Sequence, residues 1–194
     1  MAALLTTRHK DIYMYKFIKW TLNEGQEPKT LTQTPLPYDR GALGKSLSKQ
    51  SLDYHYGSLY KAYVDRYNAG EGDDEFNEAG AFLHDIYFTQ FRAPKGSNLP
   101  VGKSLELIEE HFGDYGNFQD EFEKAAMKIQ GSGWIYLSYK GEIKTITNHA
   151  IRKDIALLID WWEHAWALDY KADKKLYLKN QWKIINWEII NQRI

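Results

Sequence analysis

A change in residue pattern near position 133 sets the architecture of this chain. Before it, apolar and aromatic residues recur at helical spacing. The helical segments cover about residues 46–68, 75–91, 104–112 and 117–129. After it come β-branched and aromatic runs, which predict a hairpin and a third, fully apolar strand. These runs are 134–139 and 143–147, joined by a turn at Lys140 and Gly141, and then 155–159. A last helical pattern at 176–190 closes the chain.

The first two helical segments predict an antiparallel hairpin, because the Gly- and Asp-rich stretch 70–74 breaks the pattern between them. A Pro- and Gly-bounded loop at 93–100 is the best candidate for a domain boundary. We therefore predict an α+β fold. An N-terminal antiparallel helical hairpin, residues 33–95, precedes an α+β domain, residues 96–194, with a three-stranded antiparallel sheet. Residues 1–32 are expected to be an N-terminal extension, to which the sequence assigns no role.

Composition narrows the function. With 43% hydrophobic and 15% aromatic residues, the chain can bury a sizeable core. Its net charge of -1 gives no reason to expect nucleic acid or an anionic membrane as a partner. No apolar run approaches the roughly 20 residues that span a bilayer, and the start lacks a signal-peptide core, so the expected location is cytoplasmic. Cysteine is absent, which leaves histidine and carboxylate as the plausible metal ligands.

Three histidines and one aspartate are the candidate ligands. The hairpin can bring His55 and His84 together across its inner face, and a loop just after the third strand can add Asp160 and His164. Such a set leaves room for a fifth ligand and suits iron or manganese, while ligand type alone leaves zinc open.

Spacing by itself is weak support for such a site. His55, Leu59 and Tyr63 form one helical stripe, but a lone histidine on an apolar face is more often a structural residue than a ligand. Tyr63 and Trp134 would likewise more often be ordinary core aromatics. A non-haem iron oxygenase, with two histidines and one carboxylate, is disfavoured because four protein ligands leave too little room for an organic substrate and dioxygen.

Several ordered motifs over about residues 33–194 resemble the iron/manganese superoxide dismutases. The most specific is Asp-Trp-Trp-Glu-His-Ala at 160–165, which fits the family signature Asp-x-Trp-Glu-His-Ala. The other matching segments are Leu36-Pro37-Tyr38, Tyr54-His55-Tyr56-Gly57, Tyr63-Val64, Gly131-Ser132-Gly133-Trp134, Asp169-Tyr170 and Asn186-Trp187-Glu188.

The resemblance implies a ligand set, a cofactor and a reaction. His55, His84, Asp160 and His164 would hold one iron or manganese ion per chain. The implied activity is the antioxidant conversion of superoxide to dioxygen and hydrogen peroxide by an oxidoreductase. The alternative is a catalytically inactive relative kept as a structural or interaction protein. Retention of all four ligands argues against it, because a scaffold has no need of a buried polar cluster.

The same resemblance assigns the surroundings of the metal. Tyr63 would be the gateway tyrosine, Trp134 a wall of the metal pocket and Trp162 a ring packed beside the metal. Lys171 stands where the family has an arginine, which keeps the charge but loses the planar fork that orients Tyr63.

The glutamine that in the family hydrogen-bonds the metal-bound solvent is missing from both of its usual positions. Gly80 stands at one of them and His149 at the other. We expect the imidazole of His149 to donate to that solvent instead, and the usual clue for iron versus manganese is lost.

A homodimer is also implied. In the family, the glutamate at the position of Glu163 reaches the metal-ligand histidine of the other subunit. A histidine and a tyrosine that the family pairs across the dimer are here Leu59 and Ala167. Loss of both together predicts a repacked interface, since losing one would strand a buried polar group. The loss also predicts altered proton delivery or peroxide release at Tyr63.

Overall fold

The structure, a computed structural model, describes residues 30–194. Leu31–Ile194 form one compact unit. The N-terminal extension predicted at 1–32 lies almost wholly outside the described residues, and the domain boundary predicted after residue 95 stays a prediction.

The predicted helical hairpin is confirmed, with one departure in its first arm. That arm consists of helix α1 (Lys49–Tyr54), a π-helical segment (His55–Tyr60) and helix α2 (Lys61–Ala69). The side chain of Ser48 caps its start, and Gly70 ends it with a φ of 66°, a conformation that glycine adopts without strain. The second arm is α3 (Asp74–Thr89), which the side chain of Asp73 caps.

The predicted sheet is confirmed as well. Two helices, α4 (Lys103–Phe112) and α5 (Tyr115–Ala126), precede strands β1 (Gly133–Ser138), β2 (Ile143–Thr147) and β3 (Ile155–Asp160). The strands pair antiparallel in the order β2-β1-β3. Every residue of β1 and β3 is buried, whereas β2 lies at an edge and alternates only partly. The fold class is therefore α+β.

The chain after the sheet differs from the sequence prediction. Helix α6 (Glu163–Tyr170) begins soon after β3, where we had predicted a loop. The single helix predicted at 176–190 is two helices, α7 (Lys174–Gln181) and α8 (Trp187–Arg193). The break between them pairs with the end of α3: Arg92 N donates to Ile184 O, and Asn186 N donates to Gln90 O. These tertiary hydrogen bonds override the local helical pattern.

A buried glutamine joins α3 to the sheet. Gln90, which has no exposed surface, uses its side-chain amide as a strand would: Nε2 donates to Leu158 O, and Oε1 accepts from Leu158 N at 3.1 Å. Arg193 donates to Gln90 Oε1 and to the main-chain oxygens of Ala156 and Ile86. The free edge of β3 is thereby paired with side chains, and α3 is fixed against β3.

The Asp169-Tyr170 pair ties α6 to the start of α1. Asp169 Oδ2 accepts from Ser48 N at 2.8 Å, and Tyr170 Oη donates toward the main-chain oxygens of Lys45 and Ser46. Two helices distant in sequence are thus held at a fixed distance. Among the described residues, no helix is both long and apolar enough to cross a membrane.

Replacing Gly133 with alanine tests the closeness of β1 and β2. A Cβ at Gly133 would lie 2.6 Å from Ile146 O, a main-chain atom that cannot move aside without breaking the strand pairing. We expect Gly133→Ala to lower the free energy of unfolding by about 1–3 kcal/mol, measured by denaturant unfolding. Gly41→Ala is the control, because a Cβ there meets nothing within 4 Å. Equal effects of the two substitutions would contradict the packing.

Candidate metal centre

Three buried side chains and one partly buried side chain, from four elements, converge on one point. His55 comes from the π-helical segment, His84 from α3, Asp160 from the end of β3 and His164 from the first turn of α6. Their candidate ligand atoms all lie within 4.8 Å of one another. Asp160 Oδ2 lies 3.1 Å from His55 Nε2, 3.3 Å from His164 Nε2 and 3.8 Å from His84 Nε2.

One part of the sequence prediction is corrected here. Asp160 and His164 were expected on a loop, but Asp160 is the last residue of β3 and His164 is the second residue of α6. Only a short connection separates them, and Trp162 N donates to Asp160 Oδ1 across it at 2.8 Å. Placement on regular elements fixes both side chains more precisely than a loop does.

The π-helical segment sets what lies beside His55. Each π turn adds a residue to the helix, so the position that follows His55 on the inner face is five residues on rather than four. Tyr60 accordingly is 2% exposed and stacks on His84 with ring centroids 5.7 Å apart. Leu59, which the predicted stripe included, is only half-buried.

Burial keeps His55 and His84 neutral, and neighbouring groups keep the Asp160 carboxylate charged. Burial, reinforced by the charge of His164, lowers the pKa of His55 to about 4. Burial likewise holds the pKa of His84 well below its usual value. For Asp160, burial alone would raise the pKa, but the charge of His164 and the close contacts of His164 and His55 with the carboxylate outweigh it and hold the pKa below its usual range.

The donor atoms fit a metal ion. His84 Nδ1 lies 2.6 Å from Gly80 O, a contact that places the proton on Nδ1 and leaves the lone pair on Nε2. The Nε2 atoms of His55 and His84 are buried with no hydrogen-bond partner among the described residues, although both face Asp160. Lone pairs aimed at one anionic oxygen are costly unless a cation lies between them. Three imidazoles and one carboxylate suit iron or manganese.

Hydrogen bonds join three side chains next to the candidate ligands into a series, which consists of Trp134, His149 and Tyr63. Trp134 is fully buried against His84, and its Nε1–H donates to His149 Nδ1 at 3.1 Å. Burial lowers the pKa of His149 to about 4, so the ring is neutral, and its one proton is on Nε2. Nε2 therefore donates to Tyr63 Oη at 3.0 Å. Both ring nitrogens of His149 are engaged, and the hydroxyl proton of Tyr63 is left for another acceptor.

Gly80 leaves the space that the ring of Tyr63 occupies. A Cβ at Gly80 would lie 2.8 Å from Tyr63 Cδ1, so no side chain fits there while Tyr63 holds its position. The glutamine missing from this position is thus replaced by the Tyr63 ring itself, which lies 5.3 Å from the His84 ring. Tyr63 keeps a polar partner in His149 even though Leu59 offers none.

Of the two remaining residues predicted to surround the metal, Trp162 lies beside the cluster and Lys171 lies on the surface. Trp162 stacks on His149 with centroids 4.6 Å apart and lies 5.6 Å from the His164 ring. Lys171 is exposed at the end of α6, with a φ of 55°, and the described residues show no hydrogen bond between it and Tyr63.

An open groove of about 820 Å³ lies beside His164. Its lining includes Glu163 and Ala167 together with two exposed apolar side chains, Tyr54 and Leu168. Leu59 is not part of this lining. The structure therefore brings two of the three predicted interface residues to one surface.

Sequence reasoning missed Tyr60 and Phe76. Phe76 is half-buried and its ring lies 4.7 Å from the ring of His149 and 6.0 Å from that of Tyr63. Its spacing carried the signal, because residues 76, 80 and 84 share one face of α3. Tyr60 had no such signal, since the π turn changes the register.

Fold and site together are those of a protein whose cluster of three imidazoles and one carboxylate has the geometry to hold one metal ion. Comparison with known proteins names its family. Residues 100–193 match the family model of iron/manganese superoxide dismutases, C-terminal domain.

Relatives extend the likeness over most of the chain. Superoxide dismutase (Fe) of Bacteroides fragilis is 33% identical over an alignment that covers 85% of this chain and 100% of that protein. Superoxide dismutase (Mn/Fe) of Porphyromonas gingivalis is 35% identical over 81% of this chain and 96% of that protein. Superoxide dismutase (Fe) of Pyrobaculum aerophilum is 31% identical over 86% of this chain and 92% of that protein. The chain belongs to the iron/manganese superoxide dismutase family.

Replacing His84 with alanine tests the site as a metal centre. We expect the native protein to bind about one ion per chain and His84→Ala to lose most of it, because three ligands and a gap remain where four converge. The readout is elemental analysis of purified, folded protein, with folding checked by circular dichroism. His111→Ala is the control, since His111 is an exposed histidine outside the cluster. Full metal content in His84→Ala would exclude this site.

Proposed function

We propose that the protein is a superoxide dismutase, an oxidoreductase that converts two superoxide anions and two protons into dioxygen and hydrogen peroxide. The observation that carries the proposal is the buried cluster of His55, His84, Asp160 and His164 in a chain of this family. An iron or manganese ion bound there supplies the one-electron chemistry by alternating between its trivalent and divalent states. The ligand set supports both metals and does not choose between them.

The protein's part in the reaction is to hold protons and exclude water. Tyr63 is the residue best placed to donate a proton, because its oxygen accepts from His149 and its own O–H is not used in that bond. Burial, reinforced by the negative charge of Asp160, raises the pKa of Tyr63 to about 12, so the hydroxyl keeps its proton at neutral pH. We assign the gateway role to Tyr63 and the role of orienting it to His149.

Aromatic side chains enclose the site. Trp134, Trp162 and Phe76 surround His149, with ring centroids 4.6–5.9 Å from it. Their apolar surface lowers the local dielectric constant, which strengthens the electrostatic interactions that the ligands make with a bound cation. Lys171 contributes an exposed positive charge, which attracts an anionic substrate over a distance that salt shortens.

We further propose that the groove beside His164 is the face of a homodimer. It exposes Tyr54 (50% exposed) and Leu168 (47% exposed) next to the charged Glu163. A second copy related by a two-fold axis would cover this apolar surface and bring its Glu163 to His164, which is 15% exposed. Ala167 and Leu59 would then be neutral packing positions. The antioxidant role and the cytoplasmic location stay predictions.

The direct test is turnover of superoxide by protein stripped of metal and reloaded with iron or with manganese. We expect fast disproportionation in at least one metal form, approaching the diffusional ceiling that the handful of most efficient enzymes reach. Pulse radiolysis gives the rate without a coupled assay. A folded protein that loads metal and leaves superoxide decay at its spontaneous rate would point instead to an inactive relative with a structural role.

Tyr63→Phe, within the same assay, separates proton donation from electron transfer. We expect the step that forms peroxide to slow by about tenfold or more, since loss of a positioned proton donor commonly has an effect of this size or larger. The step that forms dioxygen needs no proton and should change little. Tyr136→Phe is the matched control, because its hydroxyl contacts Asp154, away from the ligands. Equal slowing of both steps by Tyr63→Phe would refute the assigned role.

Glu163→Ala tests the dimer. We expect sedimentation equilibrium to find a dimer of the native protein and a weaker dimer of Glu163→Ala, because the substitution removes the anionic partner proposed for His164. Glu121→Ala is the control, an exposed glutamate on α5 outside the groove. A native protein that is monomeric at micromolar concentration would contradict the proposed interface.

A further inference from the structure

A buried pair of tyrosine hydroxyls lies next to Asp160 and is separate from the hydrogen bonds that join Trp134, His149 and Tyr63. Tyr87 (α3) and Tyr177 (α7) are both fully buried, with their hydroxyl oxygens 3.0 Å apart. Tyr177 Oη donates to the main-chain oxygen of Asp160 at 2.8 Å. The Tyr87 ring also lies 5.6 Å from the ring of His55. The pair therefore contacts two metal-ligand residues without supplying a ligand atom.

The number of hydroxyl protons determines which oxygen donates in each of these hydrogen bonds. Tyr177 has one hydroxyl proton and gives it to Asp160 O. Tyr87 also has one, for which Tyr177 Oη at 3.0 Å is a nearer acceptor than Gln181 Oε1 at 3.4 Å. The series thus runs from Tyr87 to Tyr177 to Asp160. A hydroxyl that accepts a hydrogen bond becomes a stronger donor, so Tyr87 strengthens the bond that Tyr177 makes to Asp160.

The bond from Tyr177 completes the anchoring of Asp160. The peptide that follows Asp160 is held at its nitrogen, because Trp161 N donates to Gly133 O at 2.9 Å. Tyr177 holds the same peptide at its oxygen. With the carboxylate fixed at Oδ1 by Trp162 N, the direction of Oδ2 toward the three imidazoles is determined. Without Tyr177, one end of the peptide would be free to tilt.

We propose that Tyr177, supported by Tyr87, is a positioning residue that fixes the orientation of the Asp160 carboxylate. It thereby sets the affinity of the site for its metal and the reduction potential of the bound metal. The inference rests on the proposed metal site. Both tyrosines act through Asp160 and neither touches the substrate. A carboxylate that is less firmly oriented stabilises the trivalent ion less than before. Loss of its fixed orientation therefore favours the divalent state.

The test is a double-mutant cycle of Tyr87→Phe and Tyr177→Phe, which remove only the hydroxyls. We expect Tyr177→Phe to weaken metal binding by roughly tenfold or more, as loss of a residue that orients a ligand commonly does, and to raise the midpoint potential of the bound metal. Tyr87→Phe should act in the same direction with a smaller effect, and should have no effect in the Tyr177→Phe background. Chelator competition gives the affinity, and redox titration gives the potential.

Tyr136→Phe is the matched control, a buried hydroxyl whose bond goes to Asp154. It should lower stability without changing affinity or potential. The proposal fails if Tyr177→Phe behaves like Tyr136→Phe, or if Tyr87→Phe has the same effect in both backgrounds. Should Tyr177→Phe not fold, Tyr87→Phe carries the test, since it leaves the bond to Asp160 intact and is still expected to shift the potential.

Neither measurement uses superoxide. A native protein that loads metal but does not turn over superoxide would therefore refute the proposed function while leaving this test in place.

Discussion

The burial of one carboxylate among three imidazoles is the constraint on which the rest of this structure depends. Asp160 has no exposed surface, and a charge so placed is costly unless a cation and hydrogen bonds compensate it. The four candidate ligands come from four elements, so each element must be fixed against the others. Gln90 and Arg193 fix α3 against β3, and Asp169 and Tyr170 fix α6 against α1.

Two series of hydrogen bonds flank the site and differ in what they do. The first, which we call the outer series, runs from Trp134 through His149 to Tyr63 and leaves the hydroxyl proton of Tyr63 available next to the candidate ligands. The second, the inner series, runs from Tyr87 through Tyr177 to the main-chain oxygen of Asp160 and holds this residue in place. In our account the outer series serves proton transfer and the inner series serves the metal. The rings of Phe76, Trp134 and Trp162 enclose His149 in the first of these series.

Much of this could be predicted from the sequence, because the strands and the ligands have local signals. β-Branched and aromatic runs predicted β1 and β2, and a fully apolar run predicted β3. The ordered motifs predicted the family and with it the ligand set. The π turn at His55–Tyr60 had no such signal, since it depends on packing between helices. The break between α7 and α8 was missed because main-chain hydrogen bonds to Gln90 and Arg92 override a continuous helical pattern. The Tyr87 and Tyr177 pair spans 90 residues of chain, beyond the reach of any local pattern.

We infer that a redox metal lies among His55, His84, Asp160 and His164, and the other assignments depend on this inference. Its most direct test is an anomalous difference map from crystals of the protein loaded with iron or manganese, collected on both sides of that metal's absorption edge. We expect one peak per chain, bonded to the three Nε2 atoms and to Asp160 Oδ2. Crystals that contain the metal but show the peak elsewhere, or none at this point, would contradict it.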